Sequence, residues 1–168
     1  MRLYVVRHGI AVDRLSPSVT SDAERWLTEE GKTKTLAVAE GLEALGVKVD
    51  VILTSPLVRA RQTAEILTEV LEPTGGLVET GALEPGFSMT ELCEVLMAQG
   101  PPESAMIVGH EPDLSELIST LVWGDDRGEV EMKKAGCALL EIDALPPSEA
   151  GVTLRWLIPP KVLMRLIR

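Results

Sequence analysis

Cysteine is scarce in this 168-residue chain. Cys93 and Cys137 stand far apart and form neither a CxxC pair nor a metal-ligand spacing. The pattern offers no disulfide framework and reads as two reduced, buried thiols. Positive charge is also short. Sixteen Lys and Arg face 26 Asp and Glu, for a formal net charge of −10. So acidic a chain repels a phosphate backbone, which argues against general nucleic-acid binding. A site for an anionic substrate must therefore gather its few cations locally. No apolar run reaches the length of a membrane span. Arg7, His8 and Asp13 interrupt the first residues, so no signal peptide is read there. The expectation is a cytoplasmic protein with no membrane role. With 45% apolar and 25% charged residues, the composition is that of an ordinary globular protein. The length predicts a single domain over residues 1–168.

What is present is an alternation of β-rich and amphipathic helical runs. Residues 3–6 read as a buried strand. A helix is expected from Leu27-Thr28 to about Leu45, with Gly46 as its stop. Residues 49–53 form a second strand, and Pro56 suits the first turn of the helix after it. That helix aligns Leu57, Ala60, Ala64, Leu67 and Leu71 on one stripe. Residues 77–83 are read as a third strand. Ser88 and Glu91 make a capping-box pattern ahead of a short helix. Residues 104–108 form a fourth strand, followed by a helix over 113–122 and a charged loop over 124–128. Residues 137–142 and 152–158 read as two more strands, hairpin-linked or otherwise antiparallel. The basic, apolar run over 161–168 is expected to pack on the domain. The pattern predicts an α/β fold, a three-layer αβα sandwich on a mostly parallel sheet, with one antiparallel edge strand near the C-terminus.

In open α/β sheets, ligands bind beyond the carboxyl ends of the strands. Arg7, His8 and Gly9 follow the first strand. Ser55 and, one turn into a helix, Arg59 follow the second. Gly109, His110 and Glu111 follow the fourth. The chain has only two histidines, and both fall at this edge. A lone histidine is more often structural, but two with two arginines at one edge reverse that balance. Arginine offers a fork of donors matched to phosphate. Neutral imidazole is a nucleophile, and protonated imidazole donates to an oxyanion. Glycine after His8 lets the backbone approach a ligand. The set reads as an anion pocket containing a nucleophile. A zinc site is the weaker reading: two histidines do not complete it, and the arginines repel a cation.

Three blocks carry a family resemblance. Arg7-His8-Gly9 resembles the RHG signature of the histidine phosphatase superfamily, with its phosphoglycerate mutase-like fold. The ten residues from Ser55 to Ala64 are similar to that superfamily's SPxxRAxQTA helix start. Val108-Gly109-His110-Glu111-Pro112 is similar to its VGH segment. RHG alone is a weak match, whereas the ordered combination is specific. Arg25-Trp26-Leu27-Thr28, with Gly31, resembles the SixA-type branch, the phosphohistidine phosphatases. The resemblance implies that His8 takes the phosphoryl group, that Arg7 and Arg59 hold its oxygens, and that His110 donates to them. Gly9 and Arg25 become binding residues, with a surface role as the other reading of Arg25. No metal or organic cofactor is implied.

Many superfamily members use a glutamate to protonate an alkoxide leaving group. Glu84 is the candidate here, weighed against an ordinary loop carboxylate. An imidazole leaving group needs less help than an alkoxide, so the weak acid signal favours phosphohistidine. About thirty residues separate the Arg59 helix from the fourth strand, which leaves no room for a lid and predicts a shallow, open pocket. Trp26 and Trp123 default to packing roles. The expected function is a monomeric protein phosphohistidine phosphatase, with a histidine phosphotransfer domain as the kind of substrate. Two alternatives remain open: a small-molecule phosphomonoesterase or mutase, and a non-catalytic module that docks phosphoproteins.

Overall fold

The structure is a computed structural model and describes residues 1–98, 100–125, 128–147 and 151–167. Six strands form one sheet: β1 (Arg2–Arg7), β2 (Val51–Thr54), β3 (Leu77–Glu79), β4 (Ser104–Gly109), β5 (Cys137–Ile142) and β6 (Val152–Ile158), in the order β3-β2-β4-β1-β5-β6. The helices are α1 (Glu29–Ala44), α2 (Val58–Leu71), α3 (Met89–Ala98), α4 (Asp113–Trp123) and α5 (Pro160–Leu163).

Side-chain alternation along the strands builds the three layers. In β1, Tyr4 and Val6 enter one core with Val38 and Leu42 of α1, Ala60 and Leu67 of α2, and Leu163 of α5. Leu3 and Val5 face the other way, onto Leu92 and Leu96 of α3 and Leu114 and Ile118 of α4. Because both faces are covered, the central strands are buried along their whole length, as the near-continuous apolar runs require. Removing one such side chain, as in Leu53→Ala, costs roughly 2–5 kcal/mol by the usual cavity penalty.

β1, β2, β3 and β4 run parallel. β5 is antiparallel to β1, and β6 is antiparallel to β5. The strand that runs against the others is thus β5, one place in from the edge that β6 forms.

The third strand is shorter than expected. It stops at Glu79 because the Thr80 hydroxyl accepts the Ala82 N–H at 3.2 Å and turns the chain into a single 3₁₀ turn, Gly81–Leu83. Ala82 and Leu83 are buried beneath it, and this supplied the apolar pattern that reads as a longer strand. Helix α2 also begins later than Pro56 indicates. Its N-cap is Leu57, whose N–H donates to Ser55 Oγ at 3.3 Å. Helix α1 starts where expected, with Thr28 Oγ1 accepting the Gly31 N–H at 2.9 Å. Ser88 Oγ accepts the Glu91 N–H at 3.2 Å ahead of α3. Helix α5 packs on α1, with Leu163 fully buried. Asp126 and Arg127 of the charged loop, and Arg168, lie outside the described residues. No described helix is long and apolar enough to cross a membrane.

Candidate active site

β4 lies between β1 and β2, so the residues after these three strands meet at one edge. Two backbone hydrogen bonds past the paired region hold them: His8 N–H donates to Gly109 O and Ser55 N–H to Val108 O, each at 3.1 Å. His8 and His110 then face each other, ring centroids 5.4 Å apart. They are 6% and 3% exposed.

One contact sets the His8 tautomer. Nδ1 lies 2.7 Å from Gly9 O. A carbonyl only accepts, so Nδ1 carries the proton and Nε2 keeps its lone pair in the neutral ring. Arg59 Nε donates to that Nε2 at 3.3 Å. Burial drives the His8 pKa down to about 3, against the Gly9 hydrogen bond that raises it, and the charges of Arg59, His110 and Arg7 lower it further. His110 is pushed down to about 4, first by burial and then by Arg59. Both rings are therefore neutral at pH 7. His110 Nε2 shares a 2.8 Å hydrogen bond with Ser55 Oγ, while its buried Nδ1 has no hydrogen-bond partner among the described residues.

Arg59 is buried in the first turn of α2, where Thr63 Oγ1 donates to its carbonyl at 2.7 Å. The same hydroxyl accepts the Gly9 N–H at 2.9 Å and so locks α2 to the His8 loop. Gly9 is needed for packing: a Cβ there would stand 2.5 Å from Thr35 Oγ1 and 3.2 Å from Leu27 Cδ2. Arg7 Nη1 donates to Met132 O at 2.8 Å, and its buried Nε has no hydrogen-bond partner among the described residues.

Asp22 escaped the sequence reading, yet it joins three arginines. Its carbonyl accepts from Arg59 Nη1 at 2.7 Å, and Oδ2 accepts from Nη2 at 2.9 Å. Arg25 Nη1 reaches Oδ1 at 3.0 Å, and Arg14 Nε lies 3.4 Å from the same oxygen. Burial alone would raise this carboxyl. The hydrogen bond from Arg25 and the charge of Arg59 outweigh burial and hold it below the usual range. Arg25 also donates through Nε to Val12 O at 2.8 Å, at the base of the loop that carries Asp22. An Ala11–Leu27 bridge closes that base. The loop between β1 and α1 brings Asp22 onto Arg59, and the two imidazoles are nearly buried.

Glu84 has no described side-chain hydrogen bond to this group. It is exposed, in the turn after Leu83, and no described hydrogen bond or ion pair links it to His8 or Arg59. Glu111 is closer in the chain to the site, directly after His110. Ser115 Oγ donates to its Oε2, and its buried Oε1 has no partner among the described residues. Burial raises its carboxyl pKa against the hydrogen bond from Ser115 and the charge of Arg7. Among the described residues, no three His, Cys, Asp or Glu side chains come together as a metal would require.

This geometry meets known proteins at several levels. Residues 3–84 match the family model of the histidine phosphatase superfamily, branch 1. An uncharacterised protein of Picosynechococcus sp. is 41% identical over 141 residues, covering 81% of this chain and 82% of that protein. Phosphohistidine phosphatase SixA of Escherichia coli is 26% identical over 127 residues, covering 74% of this chain and 76% of the relative. A solved structure of the protein histidine phosphatase SixA complexed with tungstate superposes with a TM-score of 0.81. That match covers 97% of this chain and 99% of the other, and at 23% identity it speaks for the fold.

Proposed function

The chain belongs to the histidine phosphatase superfamily, and from that premise we propose that it is a phosphatase working through a covalent phosphohistidine at His8, with phosphohistidine on proteins as its substrate. The observation that carries the reading is the His8 tautomer: Nδ1–H is spent on Gly9 O, and Nε2 remains a lone-pair donor beside Arg59.

The chemistry follows from that arrangement. His8 Nε2 attacks phosphorus in line, a P–N bond to His8 forms, and the bond to the leaving group breaks. Arg7 and Arg59 supply fixed donors for the three equatorial oxygens. His110 donates one N–H to the same oxygens. The arriving dianion offsets the burial that keeps this ring neutral, so its proton affinity rises on binding. When the leaving group is a histidine ring already protonated on its other nitrogen, as near-neutral pH allows, it departs with the electron pair of the broken bond as neutral imidazole and needs no further proton. Water then attacks the phosphorylated His8, phosphate is released, and the Nε2 lone pair is restored. Phosphoryl transfer asks for positioning and charge stabilisation, which four preorganised side chains provide.

A phosphohistidine peptide and small phosphate esters should be compared as substrates of the wild type and His8→Ala. The expected result is faster turnover of the P–N substrate, through an acid-labile, alkali-stable phosphoenzyme that His8→Ala abolishes. Full activity in His8→Ala would overturn the mechanism. Far faster ester hydrolysis would overturn the substrate.

A further inference from the structure

The chain has six lysines, and four of them line one cleft: Lys34, Lys133, Lys134 and Lys161. Its volume is about 410 Å³. The four lysines come from three distant segments, α1, the loop before β5 and α5, and a fourth segment, the end of β1 and the loop after it, completes the wall. In a chain of net charge −10, this is a local reversal of sign.

The cleft adjoins the His8 site. Arg7 lines it. The loop bearing Lys133 and Lys134 is tied to the nucleophile's own backbone: Ala135 N–H lies 3.0 Å from Arg7 O and 3.2 Å from His8 O. Met132 O, in the same loop, accepts from Arg7 Nη1. Lys34 pairs with Glu30, and Lys133 with Glu131. Such exposed pairs are weak and exchange readily for another carboxylate. Lys134 and Lys161 are exposed, with no carboxylate partner among the described residues. Between the lysines the wall is apolar, with Ile10 and Met164.

We propose that this cleft docks an acidic polypeptide segment of the phosphorylated partner, next to the residue whose phosphoryl group enters the His8 site. The proposal rests on the protein-substrate reading above and extends it to the partner's chemistry. Lysine favours this occupant over a second phosphate. It offers mobile point charges without the planar fork that grips a fixed phosphate. Carboxylates spread along a peptide suit mobile partners, and apolar side chains between them suit Ile10 and Met164. An acidic face meets repulsion over much of the remaining surface, so the cleft also steers its approach.

The test uses three phosphohistidine peptides of equal length, flanked by Glu, Gln or Lys, with phosphoramidate as a small P–N donor. Wild type should favour the Glu peptide over the Gln peptide by about tenfold in KM, with kcat unchanged. The double variant K134E/K161E should reverse that order and leave phosphoramidate turnover unchanged. About 1 M salt, where the Debye length is about 3 Å, should erase the preference. Equal KM values in the wild type, or a preference that survives in K134E/K161E, would overturn the proposal. So would tripolyphosphate competing better than an unphosphorylated Glu-flanked peptide, which would mark a second-phosphate site. Failure of all turnover and of phosphoenzyme formation would instead overturn the His8 reading. Fluorescence anisotropy of the unphosphorylated Glu-flanked peptide, with wild type and K134E/K161E, then decides the cleft independently.

Discussion

Asp22→Asn removes one negative charge from the point where Arg14, Arg25 and Arg59 converge. Asparagine keeps the shape and one acceptor oxygen, so the change isolates charge. In the structure Asp22 Oδ2 occupies Arg59 Nη2 at 2.9 Å, on a side chain only 6% exposed. A phosphate that binds Arg59 must take that donor away. A hydrogen bond between charged groups is worth about 1.5–3 kcal/mol net. Asp22 is 31% exposed, and solvent screening brings its share toward the lower end. The phosphate thus gives up about 1.5 kcal/mol before its own contacts count. Each 1.4 kcal/mol is a factor of ten, so Asp22→Asn should bind inorganic phosphate about tenfold more tightly. The same change leaves Arg59 without its counter-charge when no ligand is present. The unliganded variant should lose roughly 1–2 kcal/mol of stability, and saturating phosphate should recover it through binding linkage.

Calorimetric titration with inorganic phosphate at pH 7 measures the first effect, and urea denaturation with and without phosphate measures the second. The two readouts must move in opposite directions. Unchanged or weaker phosphate binding in Asp22→Asn would refute the reasoning. Asp22 would then serve to hold Arg59 in place, and its charge would not compete with the ligand.

Two further outcomes follow from burial and backbone contact. The His8 and His110 pKa values are lowered to about 3 and about 4, so the free enzyme should keep its kcat/KM as pH falls through 6.5 and lose it only through the range 4 to 3. The unfolded chain takes up these protons near pH 6.5 while the native state does not, so stability should fall as pH is lowered from 6.5 toward 4; an acid limb near 6.5 in kcat/KM, or a flat urea midpoint between pH 7 and 4.5, would contradict this. Gly31→Ala would place a Cβ 2.0 Å from Ile10 O, a backbone atom with little room to move. The chain must shift, and thermal or urea denaturation should show a loss of roughly 1–3 kcal/mol.

Arg7, His8, Arg59 and His110 stand out in the sequence as candidates because strand ends are local features. Each of these residues follows a buried apolar run within two positions or sits in the first turn of the next helix. Asp22 carries no such mark. It lies on a loop with one 3₁₀ turn and no periodicity, and its spacing to Arg25 is the only local hint. The lysine cleft is equally hidden, because positions 34, 133, 134 and 161 meet only through tertiary packing. The over-long third strand reflects a different limit. Buried residues in a strand and in a 3₁₀ turn give the same short apolar pattern, and the Thr80 hydroxyl decides between them. The pairing partners of β5 are non-local in the same way. Its apolar run marks a buried strand, but its place beside β1 depends on strand order.

The carboxylates around the site bear on the leaving group. Glu84 is exposed and makes no described contact with His8 or Arg59. Asp22 touches Arg59, but its arginines hold it ionised, and an ionised carboxylate has no proton to give. Glu111 has the raised pKa of an acid, yet Ser115 on α4 holds one of its oxygens. An alkoxide leaving group would demand a proton from this set at the moment the bond breaks. A phosphohistidine ring protonated on its other nitrogen leaves as neutral imidazole, which is far less basic and needs little help. The positive charge around His8 supports attack on phosphorus, and the same charge that depresses Asp22 removes it as an acid. A site built this way pays for strong oxyanion binding with weak leaving-group protonation. That trade is the one the proposed P–N substrate calls for.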